Sequence, residues 1–244
     1  MKIRAVIITI AALMLLISPV KSFAIPTLQL DIAGGRYDAS TQTIVAGSNP
    51  FTLYALIIPD AYNTLTDTYY ISAAVSPQVG SSANLGSFSF NGTNVNVTGD
   101  MLYGTPPVET LMSYQPGDLP KHGMFPTYFK EFAFQFNSGN QISKYNTADR
   151  AIAGTPINLT PNSSGGMYYA AFTIDTSLLA STYYIHFDLY NTSTSGSNVY
   201  VTEFAPFSHD ADSYHKVPEP STLLLLGSGM AGLGLVRLRK GRKA

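Results

Sequence analysis

With 244 residues, no Cys and no Trp, the chain is long enough for one large domain or two small ones, and it excludes a disulfide framework, thiol catalysis and thiolate metal sites. The formal charge of −1 hides an asymmetry: all fifteen acidic residues lie between Asp31 and Glu219, whereas only six basic residues fall between 25 and 220, leaving that segment at −9. An acidic, soluble exterior repels phosphate backbones and argues against nucleic acid as a partner.

Residues 1–24 read as a secretory signal peptide. Lys2 and Arg4 form a basic start, 5–20 is an apolar run, and Ser22-Phe23-Ala24 places small residues at −3 and −1 of a cut after Ala24. Basic residues hold the start in the cytoplasm while the apolar run partitions into the bilayer, so export machinery is an expected partner. What remains, residues 25–216, is about 190 residues, enough for a sizeable core in a single domain.

Alternation on a period of two dominates that domain. Strands are expected at 27–32, 41–46, 51–57, 68–75, 86–90, 94–98, 129–136, 167–174 and 183–190. In 51–57, Phe51, Leu53, Ala55 and Ile57 share a face; in 129–136, Phe132, Phe134 and Phe136 oppose Glu131 and Gln135. In 183–190, Ile185, Phe187 and Leu189 alternate with His186 and Asp188, which are expected on the polar face. Turn clusters such as Asn91-Gly92 and Ser138-Gly139-Asn140 punctuate these runs, and only 175–180 suggests a helical turn. A long stretch at 101–128 lacks periodicity, as binding or capping loops do. Nine or ten strands with little helix predict an all-β fold, an antiparallel β-sandwich of jelly-roll type with a barrel as the alternative.

The chain then reads Val217-Pro218-Glu219-Pro220, an uncharged apolar span over 221–236, and a basic end with Arg237, Arg239, Lys240, Arg242 and Lys243. A helix of that span would cover about 24 Å, short of a ~30 Å hydrocarbon core. The basic cluster would hold its C-terminal side in the cytoplasm and the domain outside. Proline keeps the preceding segment extended, as a protease site requires. A Pro-Glu-Pro triplet, a short glycine-bearing apolar helix and an arginine-rich end, in that order over 217–244, resemble the PEP-CTERM sorting signal. The resemblance implies an inner-membrane intermediate, an exosortase as processing partner, cleavage near Val217, Pro218, Glu219 and Pro220, and delivery to the cell surface or extracellular matrix of an exopolysaccharide-producing Gram-negative bacterium.

The middle domain resembles the choice-of-anchor N family. The residues that carry this are Leu28-Gln29-Leu30-Asp31-Ile32, Phe51-Thr52-Leu53-Tyr54-Ala55, Asp118-Leu119-Pro120-Lys121-His122-Gly123-Met124-Phe125-Pro126-Thr127-Tyr128 and Phe207-Ser208-His209-Asp210-Ala211. The resemblance transfers no catalytic residue.

Chemistry-bearing constellations are sparse. His209, Asp210, Asp212 and His215 combine imidazole and carboxylate at close spacing, a donor set suited to a divalent ion. Their place just before the tail instead predicts a domain edge running into a linker, where no preformed cage is expected. Asp31, Asp38, Asp60 and Asp67 could offer oxygens to calcium, but no spacing matches a calcium loop, and turn capping is the simpler role. No Gly-x-Ser-x-Gly turn frames a nucleophile and Gly34-Gly35 lacks the lysine of a phosphate loop. No catalytic residue, metal or cofactor is therefore assigned, and the chain reads as a non-enzyme.

The pairs Tyr69-Tyr70, Tyr168-Tyr169 and Tyr183-Tyr184 each put one ring on either face of a strand. Outward rings could stack on sugars; covering the core and strand surface is the simpler role. The sequons at Asn91, Asn96, Asn158, Asn162 and Asn191 fit chance in a Ser/Thr/Asn-rich chain. The function expected is that of an exported, non-catalytic surface or matrix protein associated with exopolysaccharide or biofilm. The alternatives are a carbohydrate-binding module, with exposed Tyr and a loop calcium, and a secreted hydrolase.

Overall fold

The computed structural model describes residues 24–81, 84–108, 125–195 and 198–213. These belong to the first of two units, Met1–Tyr214. The signal peptide expected before Ala24 and the sorting segment expected at 217–244, with its apolar span and basic end, lie outside the described residues. Among the described residues no helix is long and apolar enough to cross a membrane.

Two sheets make the fold an all-β sandwich. The first runs β1 (Leu28–Ile32), β4 (Phe51–Ile57), β11 (Gly166–Asp175), β6 (Ser87–Phe90), β7 (Thr93–Asn96), with β10 (Gln141–Ser143) also paired to β11. The second runs β2 (Arg36–Asp38), β3 (Thr43–Val45), β14 (Ala211–Asp212), β12 (Tyr184–Ser195), β5 (Tyr69–Ser76), β9 (Thr127–Phe134), β8 (Leu102–Gly104), with β13 (Asn198–Phe204) also paired to β12. Every named pair is antiparallel except β14 with β3, which is parallel.

Alternation sets what each sheet turns inward. Leu28, Leu30 and Ile32 of β1 stand opposite Ile57, Ala55 and Leu53 of β4, and all six are fully buried. Across the sandwich, Phe90 of the first sheet stacks on Phe132 of the second with ring centroids 3.8 Å apart. Phe51 meets Phe187 edge-on at 6.3 Å, and Phe134 meets Phe172 at 5.1 Å. The sequence-expected phenylalanine faces therefore become the inter-sheet core.

Besides the strands β2, β8, β10, β13 and β14, which the sequence reading did not expect, the helices differ from it. The strand expected at 94–98 ends at Asn96, which caps a short helix α1 (Val97–Asp100): its side chain accepts from the Gly99 amide at 2.9 Å, while Asp100 accepts from the Asn96 amide at 2.8 Å. This reciprocal pair caps the helix start in the manner of a capping box, with the returning carboxylate one position later. Asp175 ends β11, and the helical turn expected over 175–180 is a single turn in which the Leu179 amide donates to the Thr176 carbonyl at 3.0 Å, with Leu179 bridging to Gly86. The second helix, α2 (Thr147–Ala153), lies where no helix was expected. Asn146 caps its start by accepting from the Asp149 amide at 2.9 Å. Gly154 ends it with φ 65°, a left-handed conformation that glycine adopts without strain.

Polar bonds tie α2 to the outer face of β1. Gln29 accepts from the Thr147 amide at 3.0 Å and donates to the Tyr145 carbonyl at 3.3 Å. Arg150 forms an ion pair with Asp31 and donates to the Thr155 carbonyl at 3.0 Å and the Gly35 carbonyl at 3.3 Å. Tyr145 adds its hydroxyl to Asp31 at 3.0 Å. Both faces of β1 are buried in consequence. Burial raises the Asp31 carboxyl to about 6 against the lowering influence of Arg150, the Ile32 amide and Tyr145.

The sign of the pH effect follows. Asp31 holds its proton more tightly in the folded chain than in the unfolded one. Its contribution to stability is therefore complete below the unfolded pKa near 4 and is lost as pH rises through about 6. Urea unfolding across pH 4 to 8 should show this downward component in the wild type and not in Asp31→Asn. Arg150→Met removes the attraction that lowers the carboxyl, so the window should move above 6. At pH 7 that variant should lose about 3–5 kcal/mol, because the Asp31 carboxyl is left buried without its cationic partner.

Candidate functional site

The alternation of β12 sends Ile185, Phe187 and Leu189 into the core and His186, Asp188 and Tyr190 to the other face. Register then decides their neighbours. His186 stands opposite Ala74 of β5 on one side and Asp212 of β14 on the other. Asp188 stands opposite Ser72, which stands opposite Glu131 of β9. Tyr190 stands opposite Tyr70, and the two rings stack at 5.3 Å and 18°.

This face is not solvated as its polar pattern suggests. His186, Asp188, Asp210 and Asp212 are all 3 % exposed or less. Val108 packs on Tyr190 and Phe125 packs on Ala74 and Phe129, at two ends of the same face. Buried polar groups need partners, and most of the geometry here supplies them. His186 Nδ1 lies 2.7 Å from Asp212 Oδ1, and the Thr43 hydroxyl donates to Asp212 Oδ2 at 3.2 Å. His186 Nε2 lies 3.3 Å from Asp188 Oδ1 and 4.0 Å from Asp210 Oδ2. Glu131 accepts from Ser72 at 2.9 Å and from the Tyr190 hydroxyl at 2.8 Å.

Electrostatics follow from crowding acids out of water. Burial works against a charged His186, but the carboxylates of Asp188 and Asp212 outweigh it and hold the imidazole well above its ordinary range. Burial raises Glu131 above the usual carboxylate range, against the lowering bonds from Tyr190 and Ser72, and Asp188 adds repulsion. His209 behaves oppositely: burial pushes it down to about 4, and its Nδ1 lies 2.8 Å from the Ser208 hydroxyl.

The structure rearranges the sequence candidates. His209, Asp210 and Asp212 do not enter a linker; they are buried, and Asp212 lies in β14, between β3 and β12. The edge expectation fails because two ladders and the bonds between Ser213 and Ile185, at 2.8 and 2.9 Å, anchor this segment inside the sheet. His215 lies outside the described residues. Asp210 and Asp212 instead meet His186 and Asp188, read from sequence only as the polar half of a strand. Their spacing to each other across β12 and β14 exists only through the fold.

Of the four calcium candidates, Asp31 faces Arg150. Asp38 accepts from Ser40, Asp60 from the Tyr62 and Asn63 amides, and Asp67 from the Thr64 amide, all as turn contacts. Asp60, Asp67 and Glu203 also share an open cleft of about 560 Å³. Another open cleft, of about 1070 Å³, lies beside Gly34, Arg36, Tyr37, Tyr54 and Ile152.

None of the six paired tyrosines is exposed. Tyr69 is wholly within the core, and the others are half-buried. Asn191 is buried, donating to Asn63 at 3.1 Å, so that sequon offers no accessible acceptor. Asn91, Asn96, Asn158 and Asn162 each accept a backbone amide locally or across a strand. Ala24, the expected signal-peptide cleavage residue, is exposed, and its carbonyl accepts from Asn146 at 2.8 Å.

Tyr190→Phe tests the Glu131 arrangement because it keeps the ring stack and removes one hydroxyl. Stability should fall by about 1–3 kcal/mol in urea unfolding, and the Glu131 carboxyl should titrate higher still by carbon NMR. An unchanged carboxyl would mean that this hydroxyl does not hold it.

Comparison with known proteins gives one match. The family model of the PEP-CTERM protein-sorting motif matches residues 216–240. The matched span includes Val217, Pro218, Glu219 and Pro220 and extends through Arg237, Arg239 and Lys240. No curated protein and no solved structure matches the chain. The match supports the sorting resemblance and leaves the β-sandwich without a family assignment.

Proposed function

We propose that this exported, exosortase-sorted chain is a non-catalytic component of the cell surface or extracellular matrix, associated with exopolysaccharide or biofilm. The observation that carries the reading is the PEP-CTERM sorting motif over residues 216–240. In this account the signal peptide directs export and is cut after Ala24. The apolar span then holds the domain at the inner membrane while the exosortase cleaves near Val217-Pro218-Glu219-Pro220.

The composition of the body suits that destination. Once both ends are removed, its charge is strongly negative, and its Ser-, Thr- and Asn-rich turns suit a hydrated polysaccharide setting. The non-catalytic reading is supported by the burial of His186 among carboxylates, with Nε2 3.3 Å from Asp188 and 4.0 Å from Asp210. The sugar-binding alternative rests less on the paired tyrosines, which are buried or half-buried, than on the exposed Tyr62 beside Asp60, Asp67 and Glu203.

In the source bacterium, Glu219→Ala and a deletion of the basic end from Arg237 onward should each accumulate a larger, membrane-retained form. Immunoblots of membrane and released fractions read the outcome. Unchanged release of a processed species from both variants would refute exosortase cleavage at this site.

A further inference from the structure

We propose that His186 Nε2, Asp188 Oδ1 and Asp210 Oδ2 bind one divalent transition-metal ion of the zinc or manganese class, with Asp212 as the residue that positions the imidazole. The three donors lie within 4.8 Å of one another and all three residues are buried. This differs from a patch of surface acids in two respects: one donor is an imidazole nitrogen, and the group sits inside the sheet face rather than at its rim.

The orientation of His186 is already that of a metal ligand. Asp212 Oδ1 holds Nδ1 at 2.7 Å and is itself held by Thr43 through its other oxygen, so Nε2 is directed at Asp188 and Asp210. A carboxylate on the far nitrogen of a ligating histidine fixes the tautomer and raises ligand basicity. Metal bonds of about 2.0–2.2 Å place neighbouring donors roughly 3–3.5 Å apart. The Nε2 to Asp188 separation of 3.3 Å fits that spacing, and the 4.0 Å to Asp210 requires closure by less than 1 Å. One imidazole and two carboxylates favour zinc or manganese over calcium, which takes oxygen ligands.

The site also has structural work within reach. The strand β14 is only two residues long, and its ladder with β12, His186–Asp212 and Phe187–Ala211, is extended only by the bonds between Ser213 and Ile185. An ion bridging Asp210 to His186 and Asp188 would fasten this end of the domain to the middle of its larger sheet. In a chain without cysteine it would take the place of a covalent staple.

The untagged full-length chain, purified in detergent and stripped with a chelator, provides the test. After dialysis against Zn²⁺ or Mn²⁺, elemental analysis should find one ion per chain, with a raised melting temperature; Ca²⁺ should give neither. Asp188→Asn and Asp210→Asn should abolish retention, and Asp212→Asn should weaken it 10–100-fold. If a variant misfolds, Co²⁺ added to the wild type supplies an independent readout. It should give a visible absorption band saturating at one equivalent, displaced by Zn²⁺, with the His186 imidazole resonance paramagnetically shifted. Wild-type protein that retains neither Zn²⁺ nor Mn²⁺, folded aspartate variants that retain them undiminished, or preferential retention of Ca²⁺ would each overturn the proposal.

Discussion

Burial of both faces of β12 is the constraint on which the rest of the domain turns. Its inner face supplies Ile185, Phe187 and Leu189 to the sandwich core, as any half-buried strand would. Its outer face carries His186, Asp188 and Tyr190, and these too are withdrawn from water. A carboxylate or imidazole taken out of solvent is costly unless neighbouring strands bring it partners. The register of β12 with β5 and β14 therefore matters as much as the apolar core, since it delivers Ser72, Asp212 and, one strand further, Glu131. A slip of one residue would put the charges in the core and the aliphatic residues outside.

The same constraint acts on the other sheet at β1. Gln29 and Asp31 lie on the face away from the core, where Tyr145 and, in α2, Thr147 and Arg150 cover them with polar bonds beside the buried Ala148 and Ala151. Polar pins thus fix the positions of α2, which has no ladder, and of the two-residue strand β14. Such contacts are directional, so they specify where an element docks even where their net stabilisation is modest.

Most of the long strands were legible in the sequence because each buries a single apolar face. The runs at 51–57 and 167–174 match β4 and the middle of β11. Strands of two or three residues such as β2, β10 and β14 are too short to display a period, and they exist because a neighbouring ladder accepts them. The helix α2 did leave a signal, Asn146 before it and Gly154 after it, within a run of good helix formers. The candidate site was only half legible. Asp210 and Asp212 stood out by composition, whereas His186 and Asp188 looked like an ordinary solvent-facing alternation. Their burial depends on segments distant in the chain, and alternation alone cannot report it.

The sorting motif and the sandwich address different questions, destination and durability. Within the body, the charged groups withdrawn from water include Asp31 with Arg150 and His186 with Asp188 and Asp212. The most direct test of that destination is terminal mapping by mass spectrometry of the native protein recovered from the cell surface and matrix. The account predicts a species beginning at Ile25 and ending within or just before Val217-Pro218-Glu219-Pro220. Recovery of the chain only with both ends intact, in the membrane or cytoplasm, would contradict it.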